Sequence, residues 1–155
     1  MTYTMDNKPY RPFGVAQDLL YSKSPEVLME GPAGTGKTRA LLEKANLCAI
    51  KYPGMRALLV RKTRESMTES VMVTLEQKVL PNGWPMLTGP SRRQRQCYRY
   101  PNGSVLVVAG MDRASRIMST EYDMIFAFEA RELTEDDWES LLTRLRNGVM
   151  PYQQA

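Results

Sequence analysis

Residues 31–38 read Gly-Pro-Ala-Gly-Thr-Gly-Lys-Thr, so that four residues separate Gly31 from the run Gly36-Lys37-Thr38. This Walker A spacing is typical of a phosphate-binding loop, because glycines let backbone N–H groups curl around phosphate oxygens. A helix that starts at the loop points its positive end at the same anion. The pattern predicts that ATP with Mg²⁺ binds here, with an incidental glycine turn as the alternative. The predicted contacts are Gly31, Pro32, Ala33, Gly34, Thr35, Gly36, Lys37 for the β and γ phosphates, and Thr38 for Mg²⁺.

Hydrolysis needs a second acidic element on a neighbouring strand. Glu129 ends the apolar run at residues 124–128, and the carboxyl end of a strand is where ligands bind in α/β folds. We predict Glu129 as a catalytic general base or water-orienting group, with a solvated loop glutamate as the alternative. The preceding Walker B position, which is Asp in most such ATPases, is Phe128. Phenylalanine cannot accept a hydrogen bond from a magnesium-bound water, and Asp123 is expected at the opposite end of the sheet. We therefore expect weak Mg²⁺ coordination and slow turnover.

Apolar periodicity and turn residues outline the elements that position the loop. An apolar strand at residues 27–29 is expected to run into the loop, and a helix is expected from 38 to 52, where Pro53-Gly54 ends it. The near-continuous apolar run at 56–61 predicts a strand buried on both faces, as in a parallel sheet. Strand, loop, helix and strand together predict a β-α-β unit.

Further elements follow along the chain. Asn102-Gly103 predicts a hairpin turn, since both residues tolerate positive φ. Thr134 with Asp137 three residues later predicts a capping box at the start of a helix. The remaining predictions are a helix over 66–80, hairpin strands over 94–100 and 104–109, a short helical segment over 113–118 and a strand over 124–128.

Composition limits the class of protein. The chain has 155 residues, of which 43% are apolar and 25% charged, as expected for one globular domain. No apolar run approaches the roughly 18 residues that span a bilayer, and the first residues lack the apolar stretch of a secretory signal. These features predict a cytoplasmic protein that does not enter membranes. Two cysteines and no histidine argue against zinc and against a disulfide framework.

Residues 29–49, 58–71 and 116–148 together resemble the large terminase subunit of tailed bacteriophages, most specifically in Ser119, Glu129-Ala130 and the acidic helix with Trp138. The resemblance implies a three-layer α/β P-loop NTPase of the ASCE type, with a mainly parallel central sheet and a β-hairpin insertion. It implies a motor that packages double-stranded DNA into procapsids in the host cytoplasm. It also implies a homo-oligomeric ring, a portal protein and a small terminase subunit as partners. Against that family, residues 1–155 are expected to be a partial, C-terminally truncated N-terminal ATPase domain without the nuclease domain.

Three other residues have possible roles through the same resemblance. Gln17 resembles the glutamine that recognises adenine ahead of the loop, although a surface helix glutamine fits equally well. Arg116 lies near the position of an arginine finger that acts across a subunit interface, and Arg61 is the alternative. An arginine finger stabilises charge on the transferring phosphoryl group, so either assignment predicts loss of turnover with binding retained.

A basic segment precedes the hairpin turn. On a strand, Arg93, Arg95 and Arg99 would share one face, and three guanidinium groups in a row would suit a DNA phosphate backbone. A charged edge strand that blocks aggregation is the alternative. Two further functions stay open for the whole chain: a helicase-like P-loop NTPase, and a nucleotide-binding module with little hydrolysis, which Phe128 favours.

Overall fold

The structure, a computed structural model, describes residues 10–32, 34–81 and 91–155. Its centre is a four-stranded sheet in the order β2-β3-β1-β4. The central strand β1 is parallel to β3 on one side and to β4 on the other, so that Leu58 lies opposite Val107 and Ile125. The short strand β2 pairs antiparallel with β3. The strands are β1 (Arg56–Arg61), β2 (Cys97–Arg99), β3 (Val105–Gly110) and β4 (Met124–Ala127).

Helices cover both faces of the sheet because neighbouring strand residues point to opposite sides. On one face, Leu59 and Phe126 belong to a core cluster with α2 and α3. On the other face, Leu58 and Ile125 pack with α4 and α5. This is the predicted three-layer α/β arrangement. The helices are α1 (Val15–Tyr21), α2 (Lys37–Lys51), α3 (64–79), α4 (Ala114–Ile117) and α5 (Glu135–Leu142), and short 3-10 turns lie at Met111–Arg113 and Ala130–Glu132.

Most predicted elements lie where the sequence pattern puts them. The structure confirms the helix after the glycine loop, the strand at 56–61, the hairpin and the strand before Glu129. Their observed ends differ from the predicted ends by at most three residues. The capping box is also confirmed, since Thr134 Oγ1 accepts from the N–H of Asp137 and Oδ2 of Asp137 accepts from the N–H of Thr134. None of the described helices is long and apolar enough to cross a membrane.

The predicted strand at residues 27–29 is wrong. The segment forms no strand, and Leu28 is 74% exposed. The backbone of this part of the chain bonds to Ala155, whose N–H donates to Pro25 O and whose carbonyl accepts from Val27 N. Because an isolated extended segment is not a strand without a partner along its length, the parallel β-α-β unit predicted with 56–61 is not formed.

The helix α3 is less regular than predicted. It alternates between α-helix, at Arg64–Ser66 and Met72–Thr74, and π-helix, at Met67–Val71 and Leu75–Val79. Thr63 caps it by accepting from the N–H of Ser66. Its apolar residues still reach the sheet, since Met67, Met72 and Leu75 are fully buried.

Two buried charges fasten the end of the chain to this core. Asp123 is fully buried and accepts from the N–H groups of Arg56, Val149 and Met150 and from the side chains of Asn147 and Gln153. Lys44 of α2 is 1% exposed, and its ammonium donates to the carbonyls of Leu19 and Ser22 and to Gln154 Oε1. Asp123 therefore belongs to the amino-terminal end of β4, as predicted.

Candidate nucleotide site and arginine cleft

The glycine loop has the backbone geometry that its sequence requires. Gly34 and Gly36 have φ of 79° and 81°, a region that residues with a Cβ rarely adopt. Gly36 is the N-cap of α2, so the helix begins directly at Lys37. The first N–H groups of this 15-residue helix therefore face the loop, which is the arrangement that binds anions at helix N-termini.

The side chain of Lys37 folds over the loop. Its ammonium donates to the carbonyls of Gly31 and of Pro32, the latter at 2.9 Å. The hydroxyl of Thr35 also donates to Pro32 O, at 2.8 Å. The ammonium is therefore already located within the loop. Thr38 lies in the first turn of α2, while Ala33 falls outside the described residues.

Glu129 follows β4 directly, in an unusual conformation. Its φ of 50° is the one positive value at a non-glycine position among the residues that the structure describes. Left-handed backbone costs roughly 1–2 kcal/mol at such a residue and concentrates at functional sites. The carboxylate lies 3.2 Å from Nε of Arg131, in a solvent-exposed pair. Phe128, by contrast, is 3% exposed and packs in the core cluster on the α2 face.

Ion pairs connect the segment after Glu129 to the end of β1. Arg61 donates to Glu132 Oε1 and to the hydroxyl of Ser70, each at 2.9 Å. Lys62 pairs with Asp137 of α5 at 2.8 Å, and this hydrogen bond holds the pKa of Asp137 below its ordinary value. The exits of β1 and β4 are thus joined by two ion pairs at the carboxyl edge of the sheet.

The two remaining candidate residues, Gln17 and Arg116, lie on helices α1 and α4. Gln17 is exposed on α1, and nothing tests its predicted contact with adenine. Arg116, on α4 after β3, donates to Gln96 Oε1 at 2.5 Å. The order β3-β1-β4, followed by residues 154–155 and then 25–27, separates β3 from the segment that leads to the loop by four strand spacings. This places β3, the strand before Arg116, about 19 Å from residues 25–27.

An open cleft of about 340 Å³ lies beyond β3. Its lining carries five arginines and no carboxylate: Arg64, Arg93, Arg95, Arg113 and Arg116, together with Gln94, Gln96, Val108, Ala109 and Gly110. The cleft has the charge of an anion site, because several guanidinium groups converge on it.

The predicted row of three arginines on one strand face is wrong. Arg93 lies in a turn before the strand, and Arg95 is 12% exposed and paired with Glu76. Arg99 is exposed on β2. The strand is shorter than its alternating pattern suggests, because Arg92 and Arg95 turn back to share the carboxylate of Glu76. The hydroxyl of Tyr98 donates to the same carboxylate at 3.1 Å, and burial first and Glu76 second raise the pKa of Tyr98.

Sequence reasoning did not find Arg64 and Glu76, which organise this region. Both lie on α3 among residues that read as an ordinary amphipathic helix. Their partners are 16 to 31 residues away along the chain, so no local pattern marks them.

Known proteins place this geometry in a family. A model of the phage terminase large subunit family matches residues 24–155. Among solved structures, the ATPase domain of a Thermus phage large terminase is similar, with a TM-score of 0.62 and 18% sequence identity. That match covers 86% of this chain, which spans 59% of the other chain's length. Comparison with curated proteins found no match. Since the family match covers most of the chain, and the fold agrees, the chain belongs to the phage terminase large subunit family.

Proposed function

We propose that this chain is the ATP-hydrolysing motor segment of a terminase that packages double-stranded DNA into procapsids. The observation that carries the proposal is the glycine loop, whose two left-handed glycines lead straight into α2 with Lys37 inside the loop. Backbone N–H groups at such a helix start bind phosphates, and Lys37 exchanges its carbonyl partners for the β and γ phosphates.

The residues present fit Mg²⁺ only in part. Thr38 offers a hydroxyl in the first turn of α2, whereas Phe128 is buried in the core where the Walker B pattern has a carboxylate. No group of three acidic, cysteine or histidine side chains in the described ranges could hold a metal by itself. Mg²⁺ keeps several waters and binds through one or two protein ligands and substrate phosphates, so Thr38 would hold it together with ATP. Bound there, the ion would neutralise phosphate oxygens.

Glu129 is the proposed general base. It lies at the carboxyl edge of the sheet, its backbone is strained, and its side chain is exposed to an attacking water. Arg116 is the proposed arginine finger. Because β3, the strand before Arg116, lies about 19 Å from the segment that leads to the loop, Arg116 would act on the nucleotide of a neighbouring chain in a homo-oligomeric ring. Gln17 is proposed to contact adenine from α1.

The arginine cleft is the proposed contact for duplex DNA. Arg93, Arg113 and Arg116 line it with exposed side chains, and contacts to phosphate alone suit a motor that must accept any sequence. The portal protein, the small terminase subunit and the cytoplasmic location at the procapsid are proposed from family membership alone. So is the assignment of residues 1–155 to a partial ATPase domain.

A second candidate function, a nucleotide-binding module with little hydrolysis, is favoured by the burial of Phe128. Steady-state ATP turnover with Mg²⁺ separates the two. Turnover that Glu129→Gln abolishes, with ATP binding retained, supports the motor. Binding without turnover in the parent chain supports the module. ATP-dependent DNA uptake into proheads tests the packaging role itself.

A further inference from the structure

Hydrogen bonds from one side chain hold the backbone of the basic loop at residues 91–96, which precedes β2. Nη2 of Arg64 donates to the carbonyls of Arg92, Arg93 and Arg95, at 3.3, 3.4 and 2.5 Å. Its Nη1 donates to the hydroxyl of Thr68 one turn along α3, at 2.5 Å. One guanidinium group thus bonds to three backbone carbonyls of this loop.

The loop's own arginines then divide into two kinds. Arg92 and Arg95 share the single carboxylate of Glu76, so one of their two positive charges is compensated. Arg93 is exposed, lines the cleft and has no carboxylate partner among the described residues. Arg113 and Arg116 line the same cleft from the segment after β3. The backbone held by Arg64 therefore determines where the uncompensated Arg93 stands relative to Arg113 and Arg116.

The backbone of Arg64 is itself fixed from the sheet edge. Its N–H donates to Asp112 Oδ1 at 3.1 Å, and Asp112 N donates to Lys62 O. Gly110 allows this close approach, since a Cβ there would lie 2.2 Å from the Arg64 nitrogen. Thr63 alone separates Arg64 from Arg61 and Lys62, which pair with Glu132 and Asp137 in the segment after Glu129. Residues 61–64 thus contact both the segment after Glu129, at the carboxyl edge of the sheet, and the basic loop.

We propose that Arg64 is a positioning residue for DNA binding, which holds loop 91–96 so that Arg93 meets phosphate, and links that loop to the Glu129 edge through residues 61–64. The proposal rests on the proposed function, since it takes the cleft as the DNA contact. The competing role, a direct phosphate ligand, conflicts with the hydrogen bonds of Arg64, because both of its terminal nitrogens are engaged by protein oxygens.

The test compares charge-conserving substitutions by titrating the chain with a random-sequence duplex between about 50 and 200 mM salt. Arg64→Lys keeps the charge but cannot hold three carbonyls and a hydroxyl at once. We expect its affinity for the duplex to fall about tenfold, because the loop is no longer held in the free chain and must be ordered on binding. The salt slope should stay unchanged, because Arg93 still contacts phosphate in the complex. Arg146→Lys, the matched control, makes the same charge-conserving change at an exposed position outside the cleft lining, and is expected within about twofold of the parent.

Two further variants make the result decisive. Arg93→Gln is expected to reduce the slope of log K against log salt by about 0.9, the value for one lost phosphate contact. Thr68→Val removes the partner of Nη1 without changing any charge, and is expected to weaken binding with the parent's slope even where Arg64→Lys does not fold. Circular dichroism and urea unfolding establish the fold of each variant.

Each outcome has a separate meaning. Natively folded Arg64→Lys and Thr68→Val chains that bind like the parent, beside an Arg93→Gln chain that loses slope, would overturn the role of Arg64 alone. An Arg64→Gln chain that loses as much slope as Arg93→Gln would make Arg64 a phosphate ligand and also overturn the proposal. An Arg93→Gln chain with unchanged affinity and slope would remove the loop from DNA binding, and with it both the cleft assignment and the inference.

Discussion

Phe128 and Glu129 are consecutive residues with opposite surroundings. The ring of Phe128 is 3% exposed in the core on the α2 face, whereas the side chain of Glu129 remains 43% exposed. The change of direction occurs at Glu129 itself, where φ is 50° and ψ is 52°. Phe128 thereby fastens the end of β4 to the core, and Glu129 is left at the edge where α/β folds bind their ligands.

Replacing Phe128 by Asp is expected to lower the free energy of unfolding by about 3 kcal/mol or more, because it puts a charge in an apolar core. Phe128→Leu, the control, should cost about 1 kcal/mol. Urea unfolding measures both. Equal losses for the two variants would show that the core at this position tolerates a carboxylate.

Turnover of the same variant tests the expectation of weak Mg²⁺ coordination. Per folded molecule, Phe128→Asp should hydrolyse ATP faster than the parent and reach half-maximal rate at lower Mg²⁺ concentration, because a carboxylate can accept from a magnesium-bound water. Steady-state assays normalised to the folded fraction provide the comparison. A variant that is no faster would refute this explanation of slow turnover.

Backbone strain at Glu129 predicts that glycine and alanine at this position differ in stability but not in turnover. Glu129→Gly and Glu129→Ala both remove the carboxylate and should both abolish turnover. Only glycine relieves the left-handed conformation, so Glu129→Gly should be more stable than Glu129→Ala by about 1 kcal/mol. Thermal unfolding and ATPase assays of the two variants measure this. Equal stabilities would mean that the strain is absent.

The buried carboxylate of Asp123 should make the folded chain less stable in acid. Burial raises its pKa, but hydrogen bonds from Asn147, from the N–H groups of Met150 and Arg56 and from Gln153 outweigh it and lower the pKa below its ordinary value. The unfolded chain therefore takes up this proton first as pH falls. Its stabilisation is present above the unfolded pKa, about 3.9, and is lost as pH falls through the folded value.

Asp123→Asn should consequently cost about 2–4 kcal/mol near neutral pH, since several buried donors lose their acceptor. The difference from the parent should shrink below about pH 4. Urea unfolding across this range tests it, with the exposed Asp136→Asn as control. A difference that stays constant into acid would contradict the role of the carboxylate.

The interfacial role of Arg116 predicts complementation between chains. Arg116→Ala should bind ATP normally and lose turnover by about a thousandfold. Mixing it with a Glu129→Gln chain, which keeps Arg116, should restore part of the activity, because each chain supplies what its neighbour lacks. Arg61→Ala, whose side chain bonds Ser70 and Glu132 within one chain, should not be rescued by mixing. Rescue of Arg61→Ala but not of Arg116→Ala would reverse the assignment.

Local signals in the sequence predicted what depends on local interactions. Helix α2, the hairpin at Asn102-Gly103 and the Thr134 capping box all depend on neighbours within a few residues, and all are found as predicted. The prediction of a strand at 27–29 failed because a strand exists only with a partner, and the backbone hydrogen bond of Val27 goes to Ala155, over 120 positions away. Apolar Leu28 looked like a core residue and is exposed.

At the candidate site the same division holds. The Walker A spacing correctly predicted a helix that starts at the glycine loop, since a helix start is a property of a single turn. The prediction of a row of arginines failed because Arg95 pairs with Glu76 of α3 and is therefore mostly buried. The ion pairs of Arg61 and Lys62 join segments about 70 residues apart, and no local sequence pattern near either residue predicts its partner.

Titration calorimetry with Mg-ATP measures whether the glycine loop binds ATP through Lys37. The parent chain should show saturable binding with one site. Lys37→Ala should bind at least about tenfold more weakly, because it loses charge-assisted hydrogen bonds to phosphate. Lys51→Ala, at the far end of the same helix, should bind like the parent. Equal affinities in the parent and Lys37→Ala, or no binding by the parent, would contradict the account.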